Sequence, residues 1–180
     1  MSKKVLLLTS SLRPNSNSDG LAEAFARGAE ESGNDVETVS LKGKTINFCK
    51  GCLACQKTQK CVIRDDAIGI AEKIKDADVL VFATPVYYYG MSGQMKTLLD
   101  RCNPLFSSDY AFRDVYLLAT AAEDEDTTLE GTITGLQGWI DCFEKAELAG
   151  TVFAGGVNDA GEIKEHPVVK AAYEMGKRVK

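Results

Sequence analysis

Short apolar runs alternate with amphipathic stretches five times along the chain. Val5, Leu6, Leu7 and Leu8 are consecutive apolar positions before Thr9, the pattern of a strand buried on both faces in a parallel sheet. A polar turn at residues 10–18 follows. Leu21, Ala22, Phe25 and Ala29 then recur at helical spacing, and Gly33 stands where a helix would end. Residues 36–41 predict a weaker second strand, 79–84 a strong third, 115–119 a fourth and 148–154 a fifth. Between them, Asp65 or Asp66 can cap a helix that places Ala67, Ile70, Ala71 and Ile74 on one face. Met95, Leu98, Leu99 and Cys102 form another stripe, and Leu129, Ile133, Leu136, Ile140 and Phe143 alternate spacings of four and three. Pro167 suits a first helical position before Val168, Ala171, Ala172 and Met175, with Lys177 and Arg178 near the negative end of the helix dipole.

Strands alternating with helices imply an α/β fold, a parallel sheet covered by helices on both faces. Five such units in 180 residues favour one domain with strand order 2-1-3-4-5. Ligands in such sheets bind beyond the carboxyl ends of the strands, so the segments after strands one, three and four are the places to look for chemistry. Residues 43–65 form a long segment without periodicity, a length that is usually functional.

Composition narrows the partners. With 26 acidic against 21 basic residues the net charge is -5, and no basic stripe suits a nucleic-acid backbone. The apolar run at residues 5–8 is too short for a secretory leader. No run approaches the ~20 apolar residues that span a bilayer. The expectation is a soluble, cytoplasmic protein with neither membrane nor nucleic acid as partner.

The turn after the first strand, Ser10-Ser11-Leu12-Arg13-Pro14-Asn15-Ser16-Asn17-Ser18, contains no glycine. It is therefore neither a dinucleotide turn nor a Walker loop. Taken alone it reads as a polar turn with Ser18 or Asp19 as a plain N-cap. Its place after the first strand of such a sheet turns the reading toward a monophosphate cradle built of hydroxyls, an arginine and helix N-terminal N–H groups. After the third strand stand Pro85, Val86, Tyr87, Tyr88, Tyr89 and Gly90. Three consecutive tyrosines cannot all enter one core, so some line a pocket or an interface, or else pack loops together.

Cys49, Cys52, Cys55 and Cys61 cluster within the segment 43–65, which in a chain that is not secreted points to metal or redox chemistry and not to disulfides. Three thiols at every third residue can face inward from a tightly wound loop. Zinc is a rival, although structural zinc sites commonly separate two C-x-x-C pairs by a dozen or more residues. A redox pair and a metal-free thiol loop also stay open. Lys50, Lys57, Lys60 and Arg64 interleave the motif and would stabilise thiolates or a negatively charged cluster.

The turn S-S-L-R-P-N-S-N-S together with T-P-V-Y-Y-Y-G-M-S-G-Q-M-K-T-L-L-D-R resembles the NADPH-dependent FMN reductase branch of the flavodoxin-like superfamily, and the tail G-x-I-K-E-H-P-x-x-K-A-A-Y-E-M-G-K is similar as well. The resemblance implies a flavodoxin-like three-layer sandwich that binds FMN and takes electrons from NAD(P)H. It implies that Ser10, Arg13, Ser16, Asn17 and Ser18 hold the FMN phosphate, and that residues 85–90 surround the ribityl chain and ring. A homodimer or homotetramer is implied too. The cysteine spacing resembles that of the iron-sulfur flavoproteins of the same family, which implies a [4Fe-4S] cluster on Cys49, Cys52, Cys55 and Cys61.

The remaining chemistry-bearing residues have plainer expectations. Cys102 and Cys142 suit core packing, His166 a capping role before Pro167, and Trp139 the buried side of its helix. Residues 123–126, Glu-Asp-Glu-Asp, read as a solvated helix start sooner than a metal site, and their field would disfavour anionic acceptors or anionic reduced flavin. No acid–base dyad or nucleophile triad is apparent, and hydride transfer to a flavin needs none. The leading expectation is an NAD(P)H-dependent FMN oxidoreductase acting on a quinone, flavin, nitro or azo acceptor. An electron carrier reduced by ferredoxin and docking a redox protein is the alternative, and a redox-sensing regulatory flavoprotein a third.

Overall fold

A computed structural model describes residues 2–180. Its strands are β1 (Lys4–Thr9), β2 (Asp35–Ser40), β3 (Val79–Tyr87), β4 (Gly90–Met91), β5 (Asp114–Thr120) and β6 (Glu147–Ala154). The helices are α1 (Asn17–Glu31), α2 (Ala54–Thr58), α3 (Asp66–Asp76), α4 (Gly93–Arg101), α5 (Glu130–Ile140) and α6 (Val168–Lys177). The sheet runs β2-β1-β3-β5-β6, all parallel, and β4 folds back antiparallel on the end of β3. The expected order is thus met, with β5 and β6 as the fourth and fifth parallel strands.

Alternation along each strand divides the core in two. Val5, Leu7, Val79, Val81, Ala83, Leu118 and Val152 face α1 and α6, while Leu6, Leu8, Leu80, Phe82, Val115 and Leu117 face α3, α4 and α5. The helical stripes fall where their spacing put them: Leu21, Phe25, Ile74 and Leu98 are fully buried. Trp139 packs half-buried against Phe82 and Phe112, and Cys102 is buried, which pushes its thiol up to about 12. His166 caps as expected, its Nδ1 accepting from the Val168 N–H at 3.2 Å.

Four details differ from the sequence expectation. Helix α1 starts earlier, with Ser16 and not Ser18 or Asp19 as N-cap. Pro167 is the N-cap of α6, one position before the helix. Along α6, Ala172 and Gly176 are buried and Val168 and Met175 pack partly buried against the core as expected, while Ala171 is exposed. The reason is that α6 lies almost on the backbone of α1: a Cβ at Gly176 would sit 2.0 Å from the Phe25 carbonyl oxygen, and one at Gly28 2.1 Å from that of Tyr173. Cys142 is exposed, because α5 ends at Ile140 and the turn beyond faces it outward, its thiol donating to the Gly138 carbonyl. Among the described residues no helix is long and apolar enough to cross a membrane.

Candidate cofactor cleft and cysteine segment

Strands β1, β3, β5 and β6 end at one sheet edge, and the loops that leave them enclose a cleft of about 110 Å3. Its walls are Ser11, Arg13, Ser16 and Asn17 after β1, Pro85, Val86 and Tyr87 at the end of β3, Thr120, Ala121 and Ala122 after β5, and Val157, Asn158 and Ala160 after β6. The N-terminus of the 15-residue α1 opens here, and a helix start leaves its first N–H groups, those of Asn17 and Ser18, without intrahelical partners. Asn15 turns the chain into the helix with a left-handed φ of 51°, a conformation asparagine tolerates. Ser16 Oγ accepts from the Asp19 N–H and lies 3.0 Å from Ser18 Oγ.

The polar residues of the turn divide by role. Arg13 reaches across the cleft, its Nη1 donating to the Asn158 carbonyl at 2.8 Å. Asn17 is a clasp: its Nδ2 donates to the Asp159 carbonyl at 2.9 Å, and its Oδ1 accepts from the Gly161 and Ile163 N–H groups at 3.0 and 3.2 Å. Ser10, expected with the phosphate residues, does not line the cleft. Its hydroxyl is buried, donates to the Ala83 carbonyl and accepts from Ser92 Oγ at 2.8 Å. Ser92 is the N-cap of α4, and its N–H donates to Thr84 Oγ1 at 3.0 Å, so three buried hydroxyls tie β1, β3 and α4 beneath the cleft. Ser11, which the sequence reading passed over, takes the place beside the cleft.

The three tyrosines form no open loop. β3 continues through Pro85, where its β1 side is already vacant because β1 ends opposite Ala83, an edge position that proline tolerates. Tyr87 pairs with Gly90, and Tyr88 and Tyr89 are the centre of a two-residue hairpin with φ of 48° and 64°. Such a turn asks for left-handed residues and normally takes Asn or Gly. Two tyrosines there store about 1–3 kcal/mol of strain each, the kind held at functional sites. Tyr88 is wholly exposed, and Tyr89 donates its hydroxyl to Glu123 Oε2 at 2.8 Å, which raises its pKa. The tip rests on α5 so closely that a Cβ at Gly131 would meet the Tyr89 carbonyl oxygen at 2.3 Å. The acidic residues 123–126 are exposed, as expected, but they are not a helix start, since α5 begins at Glu130 with Leu129 as its N-cap.

The cysteine segment lies against the far end of α4. Cys49 and Cys52 are exposed, Cys61 is half-buried and Cys55 is buried. Burial pushes the Cys55 thiol up, and the charges of Cys61, Cys52 and Cys49 push it in the same direction. Among the described residues no three His, Cys, Asp or Glu side chains are gathered as a metal-holding group, so the thiols do not stand ready-made as the expected ligand set. Arg101, fully buried, anchors the segment. It makes a two-pronged ion pair with Asp65 (2.7 and 2.9 Å), donates to the carbonyls of Asn47 and Ile63, and donates to Cys61 Sγ at 3.4 Å. Burial would raise the Asp65 carboxyl, but Arg101 and the Asn47 and Ala67 N–H groups hold it well below the usual carboxylate range.

The family model described as NADPH-dependent FMN reductase matches residues 3–129, from β1 to the residue before α5. The chain belongs to the NADPH-dependent FMN reductase family. The matched part of this FMN reductase family member holds the turn after β1, the cysteine segment and the tyrosine hairpin. The chain is similar to an iron-sulfur flavoprotein of Methanocaldococcus jannaschii, 39% identical over 57% of this chain and 53% of that protein. An iron-sulfur flavoprotein of Methanosarcina thermophila is 30% identical over 76% of this chain and 72% of that one. The chain spans about half the length of the first of these relatives. Among solved structures, the NAD(P)H:quinone oxidoreductase from Methanothermobacter marburgensis superposes with a TM-score of 0.77 over 98% of this chain and 96% of that one. At 18% identity the likeness is one of fold, the flavodoxin-like sandwich.

Proposed function

We propose that this reductase family member is an FMN-dependent oxidoreductase of the cytoplasm. It takes electrons from NAD(P)H and passes them to a quinone, flavin, nitro or azo acceptor, directly or through a [4Fe-4S] cluster. The observation that carries the proposal is the cleft between the α1 N-terminus and the tyrosine hairpin. Its residues fit FMN: a helix start that opens into the cleft, unpaired first-turn N–H groups, and the aromatic ring of Tyr87 in its wall.

When bound, FMN supplies the hydride and electron chemistry. The chain binds and orients it. Ser11, Ser16 and the N–H groups of Asn17 and Ser18 would receive the phosphate, with Arg13 adding positive charge; the Ser18 hydroxyl, expected there too, is fully buried against Ser16 Oγ and does not line the cleft. Asn17's side chain holds the β6–α6 loop in place behind them. Pro85, Val86 and Tyr87 would flank the ribityl chain, and Tyr88, Tyr89 and Gly90 would present the ring with a wall. A cleft of about 110 Å3 is well under the ~300–1,000 Å3 of pockets that enclose a cofactor, so the ring would lie on the open hairpin side. A second copy in a homodimer or homotetramer would cover it there.

Cys49, Cys52, Cys55 and Cys61 fit a cluster by donor chemistry, being four free thiols in a segment with Lys50, Lys57, Lys60 and Arg64 and a buried guanidinium at one sulfur. Such a site forms together with its metal. A bound cluster would supply single-electron transfer.

The test is anaerobic purification followed by a visible spectrum, with flavin, iron and sulfide counted on one sample. Flavin bands that bleach on adding NADPH or NADH support the oxidoreductase, and about four irons per chain support the cluster. A folded protein that refuses micromolar FMN refutes the reading. One observation favours the carrier reading as well: Phe48, Leu53, Val62 and Phe106 are exposed around the basic cysteine segment, a surface suited to a redox protein. Bleaching by reduced ferredoxin and not by nicotinamide would select it.

A further inference from the structure

We propose that Arg101 is a positioning residue for the cysteine segment, holding Cys61 by its sulfur and setting the reduction potential of the cluster. The inference rests on the cluster reading above. Its observations are independent of that reading, because they concern what one buried guanidinium touches.

The Arg101 side chain has no exposed surface. Its Nη1 reaches Asn47, two residues before Cys49, and its Nη2 reaches Ile63, two residues after Cys61, at 2.8 and 3.1 Å. One group therefore ties both ends of the four-thiol segment to the last turn of α4. The same nitrogen that holds Ile63 donates to Cys61 Sγ. Asn103, just past the helix, donates its Nδ2 to Cys55 Sγ at 3.5 Å. The two less exposed sulfurs thus receive side-chain N–H groups from one place, and exposed Cys49 receives the Gly51 backbone N–H. Asp65 offsets the guanidinium charge, so the sulfur faces a hydrogen-bond donor whose positive charge is largely compensated.

A thiolate-held cluster becomes more negative by one charge when it takes one electron. N–H···S bonds and nearby positive charge stabilise that reduced form more than the oxidised one, and such contacts are what set cluster potentials. Removing the donor lowers the potential. Removing the opposing carboxylate while keeping the donor raises it. Helix α4 gives the arrangement a second consequence. Its N-cap Ser92 is bonded to Ser10 and Thr84 beneath the cleft, and nine residues carry it about 13 Å to Arg101, so one rigid element fixes the cysteine segment relative to the cofactor site.

The experiment uses the full chain reconstituted anaerobically, with dithionite as reductant and the reduced cluster followed by paramagnetic resonance. Iron, sulfide and FMN are counted for wild type, Arg101→Gln, Arg101→Lys and Asp65→Asn. Arg101→Gln is expected to shift the one-electron equilibrium about tenfold toward the oxidised form, which is about 59 mV lower. Asp65→Asn is expected to shift it the opposite way, and Arg101→Lys to lie between wild type and Arg101→Gln. A purely structural role would cost iron without moving the potential in opposite directions. If Arg101→Gln loses FMN together with iron it has misfolded, and Arg101→Lys and Asp65→Asn then decide: opposite shifts support the proposal and wild-type potentials overturn it. Wild-type protein that binds FMN but takes up no iron or sulfide overturns the cluster reading itself, and the proposal with it.

Discussion

Gly131→Ala puts the hairpin to the test. An added Cβ would stand 2.3 Å from the Tyr89 carbonyl oxygen and 3.3 Å from its carbonyl carbon, both backbone atoms that cannot rotate away. Opening the first contact to 3.0 Å requires a shift of 3.0 - 2.3 = 0.7 Å between α5 and the hairpin tip. Alanine gains about 1 kcal/mol over glycine in a helix, while overpacking costs about 1–3 kcal/mol, so stability should fall by no more than about 2 kcal/mol. The tip is the softer partner, since Tyr88 is wholly exposed and both central residues are already strained. It should lift and release Tyr89 from Glu123. If Tyr87, Tyr88 and Tyr89 form the flavin wall, FMN affinity should drop about tenfold, or 1.4 kcal/mol, as read by quenching of flavin fluorescence. Gly138→Ala is the control: the same helix gains the same methyl group, but nothing lies within 4 Å of it. It should raise the thermal midpoint and leave FMN binding unchanged. Equal FMN affinity in both variants would refute the assignment of the hairpin to the cofactor.

Further expectations concern single groups. Asp65→Ala leaves Arg101 buried without its counter-ion and should cost about 3–5 kcal/mol at pH 7 in urea unfolding. Because the folded-state pKa of Asp65 is depressed, its contribution is present above the unfolded value and should be lost from about pH 5 downward in wild type, giving the variant a flatter acid limb. Asn17→Ala strips the Gly161 and Ile163 N–H groups of their acceptor, which should cost about 1–3 kcal/mol by chemical denaturation. In an alkaline ultraviolet titration, Glu123→Gln should bring one late tyrosine ionisation to lower pH, and Tyr89→Phe should delete that same one. Alkylation of native protein near pH 8, read by peptide mass spectrometry, should label Cys142 and spare Cys102 until the chain unfolds.

The strands and helical faces were legible in the sequence because burial on a parallel sheet leaves a direct pattern. Leu6 and Leu7 are both buried, on opposite faces, which is what a continuous apolar run encodes. The phosphate turn was legible by position but not by atom. Ser10 and Ser11 are the same residue type, and only the strand register determines that the first is held beneath the cleft and the second beside it. The hairpin was hidden because its central residues are tyrosines where turn chemistry expects Asn and Gly. The loop after β6 was not legible because its glycines, Gly155, Gly156 and Gly161, mark a turn without marking what the turn lines. Cys142 misled because a helical stripe carries no mark of where its helix stops.

The saturated hydroxyls of Ser10, Thr84 and Ser92 have a practical consequence for anyone reshaping this cleft. Each is shut off from solvent and bonded to its neighbours in a fixed sense, so the base of the cleft has no slack with which to accommodate a new molecule. A change in what the cleft accepts must then come from the rim: the tyrosine tip, the acidic stretch beside it and the span between β6 and α6. Variation directed at those three segments should yield proteins that fold alike and differ in what they bind.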